Sequence, residues 1–198
     1  MGITLKSVCV FCGSADGMPS YYYDAARAMG IALAKANLHL VYGAGRTGMM
    51  GALAAGALSA GGKVTGVVPV GLESATLIYK TELTKLEVVE NIQVRKSRMS
   101  ELSDAFIALP GGYGTLDELF EALTWTQIGV HRKPVGLLNT SGYFDLLLAW
   151  IERAKQDRFI FPEHLHLFTV SADPDNLLAQ LANFSFPEGL ERWVDREG

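Results

Sequence analysis

Apolar positions along the chain follow two alternating periods. Short runs rich in β-branched residues are separated by longer stretches in which apolar residues recur at helical spacing. The short runs predict seven strands, over residues 7–11, 38–42, 63–68, 86–89, 105–109, 135–138 and 167–170. The longer stretches predict six helices, over residues 21–36, 48–60, 92–102, 116–128, 143–156 and 174–181.

This alternation is typical of an α/β protein. Strands joined through helices run parallel, and right-handed crossovers place helices on both faces of the sheet. We therefore predict a doubly wound, Rossmann-like, mostly parallel sheet of about seven strands with helices on both faces. No linker or repeat interrupts the pattern, so we expect residues 1–198 to form one domain. Residues 71–84 show no clear pattern and predict a loop near the site, and the tail from Phe184 onward is expected to be peripheral.

Composition and charge narrow the class of protein. The chain has 198 residues, 49% of them hydrophobic, and 17 basic against 21 acidic side chains give a net charge of -4. The apolar content excludes a disordered chain, and the charge argues against binding of nucleic acid through the overall field. No apolar run approaches the ~20 residues of a membrane-spanning helix, and the N-terminus lacks a signal-peptide pattern. We expect a cytoplasmic protein with neither a nucleic-acid nor a membrane partner.

The two cysteines, Cys9 and Cys12, form a C-x-x-C pair in the segment Ser7-Val-Cys-Val-Phe-Cys12, along the first predicted strand and directly after it. Redox pairs of this spacing open a helix, whereas residues three apart in a strand point to opposite faces. A zinc site would need a second pair, and His164 and His166 lack a convincing third ligand. We interpret the cysteines as buried thiols and predict no metal site.

Three glycine-bearing loops, over residues 12–17, 43–48 and 110–115, lead from predicted strands into predicted helices. Ligands of open parallel sheets bind at this edge, glycine lets them approach the backbone, and unpaired amides at a helix N-terminus attract anions. Glycines that merely permit tight turns are the alternative. The coincidence of three such loops favours a phosphate cradle, and its predicted contributors are Gly13, Ser14, Gly43, Gly45 and Thr115.

The spacing Gly43-x-Gly45-x-x-Gly48 also matches the dinucleotide-binding fingerprint, so a nicotinamide- or flavin-dependent oxidoreductase is a competing interpretation. That fingerprint requires an acidic residue ~20 positions further on, at the end of the next strand. Here the next strand ends without a carboxylate before Glu73, and the motif follows the second predicted strand rather than the first. A P-loop is excluded, because no Gly-Lys-Ser/Thr follows any of the loops.

Glu118 and Arg95 are the candidate reactive side chains. Thr115-x-x-Glu118 fits a helix-capping box as well as it fits a catalytic carboxylate, and the location of Glu118 beside the predicted cradle favours catalysis. Arg95 belongs to the basic cluster Arg95-Lys96-Ser97-Arg98. Such a cluster is often a solvated face paired with acids such as Glu101, and an inward-facing arginine is the alternative.

The segment Asp104-Ala-Phe-Ile-Ala-Leu-Pro-Gly-Gly-Tyr-Gly-Thr-Leu-Asp-Glu118 matches the P-G-G-x-G-T-x-x-E signature of the Lonely Guy family. These proteins resemble cytokinin riboside 5′-monophosphate phosphoribohydrolases and were often mislabelled lysine decarboxylases. The resemblance extends along nearly the whole chain. Its other family-like segments are Cys12-Gly-Ser, residues 42–51, Arg95-Lys96, Trp125-x-Gln-x-Gly129, residues 133–138 and Gly142-Tyr-Phe.

The resemblance implies hydrolysis of the N-glycosidic bond of cytokinin riboside 5′-monophosphate or AMP, which releases the base and ribose 5-phosphate. It also implies a homodimer, a catalytic pair of Arg95 and Glu118, and no metal or redox cofactor. The substrate-binding positions that it implies are Lys96, Gly111, Gly112, Tyr113, Gly114, Thr115, Leu116, Asp117 and Thr124.

The chain departs from the family pattern just before Arg95. Where family members commonly carry Met-His-Glu, this chain has Ile92-Gln93-Val94. A substrate-contacting glutamate of the family is either missing here or corresponds to Glu82. Plain and prenylated adenine nucleotides therefore both stay open as substrates. A non-catalytic nucleotide- or molybdenum-cofactor-binding module is the main alternative, and the retention of Arg95 and Glu118 argues against it.

Overall fold

Seven strands and six α-helices follow one another along the chain, which the computed structural model describes over residues 3–72, 78–79 and 82–190. The strands are β1 Ser7–Phe11, β2 His39–Tyr42, β3 Val64–Pro69, β4 Lys85–Val89, β5 Ala105–Ala108, β6 Val135–Leu138 and β7 Phe168–Ser171. The helices are α1 Ser20–Lys35, α2 Gly48–Ser59, α3 Ile92–Glu101, α4 Tyr113–Gln127, α5 Asp145–Gln156 and α6 Pro174–Ala182. Two short 3-10 helices lie at Thr140–Gly142 and Pro162–His166.

The strands form one parallel sheet in the order β4-β3-β2-β1-β5-β6-β7. The chain progresses in one direction from β1 to β4 and in the other from β5 to β7, so the order switches between β1 and β5. At that point Val8 pairs with Ala105 and Phe11 with Ala108. The loops after these two strands diverge and leave a crevice at the carboxyl edge of the sheet. The predicted doubly wound α/β fold is confirmed.

Helices cover both faces of the sheet. Because successive side chains of a strand point to opposite faces, each strand contributes to both cores. Val8 and Val10 of β1 face a core built with α1, α2 and α6. Cys9 and Phe11 face a second core that includes residues of α3 and α4. Cys12 belongs to the first core, so the two cysteines lie on opposite faces, both as buried free thiols. This confirms the interpretation of the C-x-x-C pair.

Helices α1 and α2 pack with their backbones in contact. A Cβ atom on Gly30 of α1 would collide with the carbonyl oxygen of Leu53, and one on Gly56 of α2 would collide with the carbonyl oxygen of Arg27. Glycine at these positions lets the helix axes approach more closely than larger residues allow. The small residues of α2 are thereby buried within the chain.

The segments predicted to be irregular are described in part. Within residues 71–84, residues 73–77 and 80–81 lie outside the described residues. Ile78 forms a bridge with Gly45, and the amide of Tyr79 donates to the carbonyl oxygen of Ala44 at 3.0 Å, so this part lies beside the second glycine loop. In the tail, Leu190 is buried in the second core, so the expectation of a peripheral tail is wrong there, and residues 191–198 lie outside the described part.

The described part of the chain lacks two kinds of feature. None of its helices is long and apolar enough to cross a membrane. No group of three or more His, Cys, Asp or Glu side chains within it is placed to hold a metal ion.

Candidate functional site

A cleft of about 440 Å³ opens where the strand order switches. Residues 10–15, at the end of β1 and in the loop after it, line one part of the cleft, and the N-terminal turn of α4 lines another. Arg95 and Met99 of α3 border it together with Gly43 and Met50. Small-molecule sites in proteins typically measure roughly 300–1,000 Å³, so this cleft is large enough for a nucleotide-sized ligand.

The N-terminus of α4 opens into this cleft. Gly112 is its N-cap, and the amide of Leu116 donates to the carbonyl oxygen of Gly112 at 3.1 Å. The amides of Tyr113, Gly114 and Thr115 precede that hydrogen bond and therefore have no acceptor within the helix. A Cβ atom on Gly112 or Gly114 would meet open space. Unpaired amides at the positive end of the helix dipole form a favourable place for an anion.

Two contacts hold the turn that precedes α4. The hydroxyl of Tyr143 donates to the carbonyl oxygen of Gly111 at 2.5 Å, and the amide of Gly13 donates to that of Pro110 at 3.0 Å. A Cβ atom on Gly111 would collide with the side chain of Thr115 and crowd the amide of Gly13. The turn is therefore closely packed from two sides. Sequence reasoning missed the contribution of Tyr143, for which only its family-like position gave a signal.

The N-terminus of α2 is covered by groups of the protein itself. The amide of Gly48 donates to Oδ1 of Asp16 at 2.9 Å, and the amide of Met50 donates to the carbonyl oxygen of Gly13 at 3.2 Å. Thr47 adds a hydrogen bond from its hydroxyl to the carbonyl oxygen of Ser14 at 2.7 Å. A carboxylate thus occupies the anion position at this helix end. Sequence reasoning did not anticipate this contact.

Gly43 borders the cleft, and the side chain of Arg95 passes directly beside it. Nε of Arg95 donates to the carbonyl oxygen of Val67 in β3 at 3.0 Å, and Nη1 lies 3.3 Å from Oε1 of Glu118. A Cβ atom on Gly43 would overlap Nη2 of Arg95 and press on Met50. The absence of a side chain at Gly43 therefore leaves room for the guanidinium group.

The two arginines of the basic cluster on α3 point in different directions. Arg95 faces the cleft, with 15% of its side chain exposed. Arg98 instead contacts Glu87 at 2.7 Å and Glu101 at 3.0 Å, away from the cleft. The predicted solvated face is therefore correct for Arg98, and the inward-facing alternative is correct for Arg95.

Glu118 lies across the cleft from the loop of Gly13, with 14% of its side chain exposed. Among the described residues its hydrogen bond is with Arg95 through Oε1, so Oε2 is available to a ligand. The capping-box interpretation fails, because α4 begins at Tyr113 with Gly112 as its N-cap. A Glu at the sixth position of the helix lies beyond the amide that a capping box requires.

Burial raises the pKa of Glu118 to about 7. Arg95 and Lys96 lower this pKa, and the neighbouring carboxylates of Asp117 and Glu121 raise it. Loss of solvation disfavours the ionised form more than the two cations restore it. A carboxyl group with such a pKa can release or accept a proton close to neutral pH.

The cleft contains part of the predicted site. Of the predicted residues it is lined by Gly13, Ser14, Gly43, Arg95, Gly112, Tyr113, Gly114, Thr115 and Glu118. The predicted residues outside its lining are Gly45, Lys96, Gly111, Leu116, Asp117 and Thr124.

The outlying positions have other neighbours. Lys96 forms ion pairs with Asp117 and Glu121. Thr124 borders a separate apolar pocket of about 150 Å³ beside Phe120 and Trp150. The segment Ile92-Gln93-Val94, where the chain departs from the family pattern, is exposed on the first turn of α3 and also lies outside the cleft lining.

The chain is similar in sequence to proteins of one known family. A family model described as "Possible lysine decarboxylase" matches residues 50–181. A cytokinin riboside 5′-monophosphate phosphoribohydrolase of Rhodococcoides fascians is 46% identical over 181 residues, which cover 90% of each chain. One of the same name from Arabidopsis thaliana is 42% identical over 179 residues, covering 90% of this chain and 84% of the relative. A probable one from Oryza sativa subsp. japonica is 44% identical, covering 90% of this chain and 78% of the relative.

Solved structures with the same fold are more distant in sequence. The molybdenum cofactor binding protein of Rippkaea orientalis superposes with a TM-score of 0.65 at 22% identity, over 89% of this chain and 95% of that one. The molybdenum cofactor carrier protein of Chlamydomonas reinhardtii gives a TM-score of 0.64 at 21% identity, over 88% and 94%. These similarities establish the arrangement of strands and helices.

Proposed function

The chain belongs to the Lonely Guy family, and on that basis we propose that it hydrolyses the N-glycosidic bond of an adenine nucleoside 5′-monophosphate, with AMP and cytokinin riboside 5′-monophosphate as its candidate substrates. The products are the free base and ribose 5-phosphate. The observation that carries this proposal is the placement of Arg95 and Glu118 in one cleft with the open N-terminus of α4.

The 5′-phosphate binds at the N-terminus of α4 in this proposal. The amides of Tyr113, Gly114 and Thr115 supply hydrogen-bond donors, and the helix dipole favours the negative charge. Ser14 lies on the facing loop of the same cleft. Binding energy from a phosphate that does not itself react can hold the anomeric carbon near Glu118.

Glu118 acts on the ribose in its ionised form. As the bond between C1′ and the base nitrogen breaks, its electron pair leaves with the base and positive charge develops on the sugar. A carboxylate in a poorly solvated site stabilises that charge. Glu118 also orients the water whose oxygen bonds to C1′ and takes up the proton that the water loses, which its raised pKa permits. The departing base gains one proton on the nitrogen that held the sugar, and Glu118 returns to its ionised form by releasing the proton it took up, so one water is consumed for each free base formed.

Arg95 orients Glu118 and the sugar-phosphate. Its Nε donates to the carbonyl oxygen of Val67, so a strand of the central sheet holds the guanidinium group in place at the cleft. A guanidinium group offers several hydrogen-bond donors in a fixed plane, which suits simultaneous contact with a carboxylate and a ligand oxygen.

Lysine decarboxylation has no support in this cleft. A pyridoxal-phosphate enzyme forms its Schiff base with a lysine amine. Among the described residues that line the cleft there is no lysine, and Lys96 is paired with Asp117 and Glu121 outside it.

We further propose a cytoplasmic homodimer in which residues 1–198 form one domain. A single sheet contains all the strands between Ser7 and Ser171 of the described residues, which supports the domain assignment.

Leu146 and Trp150 of α5 are largely exposed, and Trp150 packs edge-on against Phe120 of α4. Exposed apolar clusters of this kind are typical of protein interfaces, and light scattering measures whether the chain is a dimer.

The experiment is a chromatographic assay for free base. Purified protein is incubated with AMP and with isopentenyladenosine monophosphate, beside the Glu118→Gln and Arg95→Ala variants. We expect base release by the wild type, and a loss of about 100- to 1,000-fold in each variant, because each change removes a preorganised charge. The ratio of rates with the two nucleotides ranks the substrates.

Stability measured against pH separates catalysis from folding. The folded-state pKa of Glu118, about 7, lies above its ordinary value of 4.5. The group therefore contributes stability below pH 4.5, which is lost as the pH rises through 7, and Glu118→Gln should lack this pH-dependent part. Full activity in Glu118→Gln would remove the proposed role. A thermal shift with nucleotide but no turnover by the wild type would favour the binding-module alternative.

A further inference from the structure

The loop after β6 contributes one side chain to the turn that precedes α4. The hydroxyl of Tyr143 donates to the carbonyl oxygen of Gly111 at 2.5 Å, and the two residues lie 32 apart in the sequence. Strand β6 pairs with β5, so the loops that follow these two strands lie side by side at the carboxyl edge of the sheet. A neighbouring loop therefore holds the backbone of the turn.

The loop that carries Tyr143 is itself fixed by Asn139, at the end of β6. The Asn139 side chain accepts from the amide of Phe144 at 2.8 Å and donates to Oδ1 of Asp145 at 2.7 Å. Its own amide donates to the carbonyl oxygen of Ser171 in β7 at 2.8 Å. These hydrogen bonds tie the loop to the sheet, so the Tyr143 hydroxyl is presented from a defined place.

The contact with Tyr143 sets the orientation of one peptide group. The carbonyl oxygen of Gly111 and the amide of Gly112 belong to the same planar peptide bond, and the described chain has no cis peptide bond. In a trans peptide the carbonyl and the N–H point in opposite directions. Because the oxygen points toward Tyr143, the N–H of Gly112 points away from it. Gly112 lines the cleft, whereas Tyr143 does not.

The amide of Gly112 is open to a ligand. Among the described residues none accepts a hydrogen bond from it, and a Cβ atom on Gly112 would meet open space. It directly precedes the amides that have no acceptor within α4, which are those of Tyr113, Gly114 and Thr115. An anion at this helix end can therefore accept from the Gly112 amide as well.

We propose that Tyr143 is a positioning residue for the 5′-phosphate of the substrate and that it acts through the peptide between Gly111 and Gly112. This inference rests on the proposed function of the cleft. The hydroxyl keeps the carbonyl oxygen turned outward and the Gly112 amide turned toward the phosphate. Glycine on both sides of the peptide restricts its rotation little, so the orientation depends on the contact with Tyr143.

The test compares Tyr143→Phe with Tyr22→Phe. Tyr143→Phe removes the hydroxyl and keeps the ring, which packs edge-on against Tyr22 of α1 with 5.9 Å between the ring centroids. Tyr22→Phe is the matched control, because it removes a hydroxyl from the neighbouring ring and leaves the contact with Gly111 in place. By calorimetry, we expect the Kd of ribose 5-phosphate to rise about tenfold in Tyr143→Phe and to change less than about twofold in Tyr22→Phe.

A ¹H–¹⁵N NMR titration with ribose 5-phosphate measures the Gly112 amide itself, whose signal is assigned with Gly112→Ala. A charge-assisted hydrogen bond to phosphate moves an amide proton downfield. At saturation we expect this displacement in the wild type and in Tyr22→Phe, and about half of it or less in Tyr143→Phe. Weaker binding by Tyr143→Phe with the full displacement would overturn the proposal and make Tyr143 a direct ligand of the phosphate.

Binding and turnover separate this inference from the proposed function. If the wild type released no base from AMP, the hydrolase proposal would fail, while the two titrations would still test Tyr143. An unchanged Kd in Tyr143→Phe would overturn the inference even if AMP were hydrolysed. Failure of the wild type to bind ribose 5-phosphate would overturn it as well, because no phosphate would then be positioned.

Discussion

Helices α2 and α4 begin in similar local settings, but different groups lie at their N-termini. Each follows a buried parallel strand and a glycine-bearing loop. The first amides of each helix lie at the carboxyl edge of the sheet and have no acceptor within their own helix. At α2 the carboxylate of Asp16 and the carbonyl oxygen of Gly13 accept from those amides. At α4 the corresponding space is an open cleft. The same local motif thus gives an internal cap in one place and, in the other, an open cleft where we propose that the phosphate binds.

The glycines of the two loops also have different physical roles. Gly43, before α2, leaves room for Arg95, whereas Gly111, before α4, is packed against Thr115. Gly112 and Gly114 face open space. A glycine pattern therefore indicates that another group can come close to the backbone, but it does not tell whether that group is a side chain of the protein or a ligand. Substitutions at these positions separate the two loops by experiment.

Among substitutions in the two loops, Gly43→Ala should have the largest effect on activity. The added methyl group would overlap the end of the Arg95 side chain, which can move aside at little cost to stability. We expect kcat/KM to fall about 100-fold, equivalent to about 2.7 kcal/mol, because a preorganised cation leaves its place beside Glu118. Thermal unfolding should change little.

A double-mutant cycle checks the cause of that loss. If Gly43→Ala acts by displacing Arg95, the same substitution in an Arg95→Ala background should cost little more. An equal further loss in that background would mean that Gly43 itself contacts the substrate and that the two loops are more alike than we conclude.

Gly111→Ala should mainly affect stability. Its methyl group would collide with the Thr115 side chain and with the backbone of Gly13, neither of which can move without disturbing the turn. We expect a loss of about 2 kcal/mol in the free energy of unfolding, as for other overpacked sites. Gly112→Ala is the matched control, because its methyl group enters open space and its φ of −95° suits alanine. Equal denaturant midpoints for the two variants would contradict the packing that we describe around the turn.

The sequence predicted the fold better than the site, for a physical reason. Apolar periodicity is local, so strand and helix positions followed from neighbouring residues. The apolar pattern predicts the start of α4 three residues too late, because glycines in its first turn weaken the helical signal. For Glu118, helix capping and catalysis are equally good interpretations of the local residues, and only its location beside the predicted phosphate cradle favours catalysis. The contact between Asp16 and Gly48 joins residues 32 apart, and a lone aspartate in a loop carries no sign of such a partner.

Asp16→Ala should produce the smallest of these effects and bears most directly on the difference between the two helices. Removing the carboxylate exposes the N-terminus of α2 and should cost about 1 kcal/mol in unfolding free energy, whereas Asp16→Asn keeps an acceptor and should cost less. The uncovered amides of α2 would then resemble those of α4 and attract an anion. We therefore expect inorganic phosphate to raise the melting temperature of Asp16→Ala more than that of the wild type or of Asp16→Asn. Identical phosphate-dependent shifts in all three proteins would show that Asp16 is not what keeps anions from α2, and that the contrast with α4 has its origin in the shape of the loops.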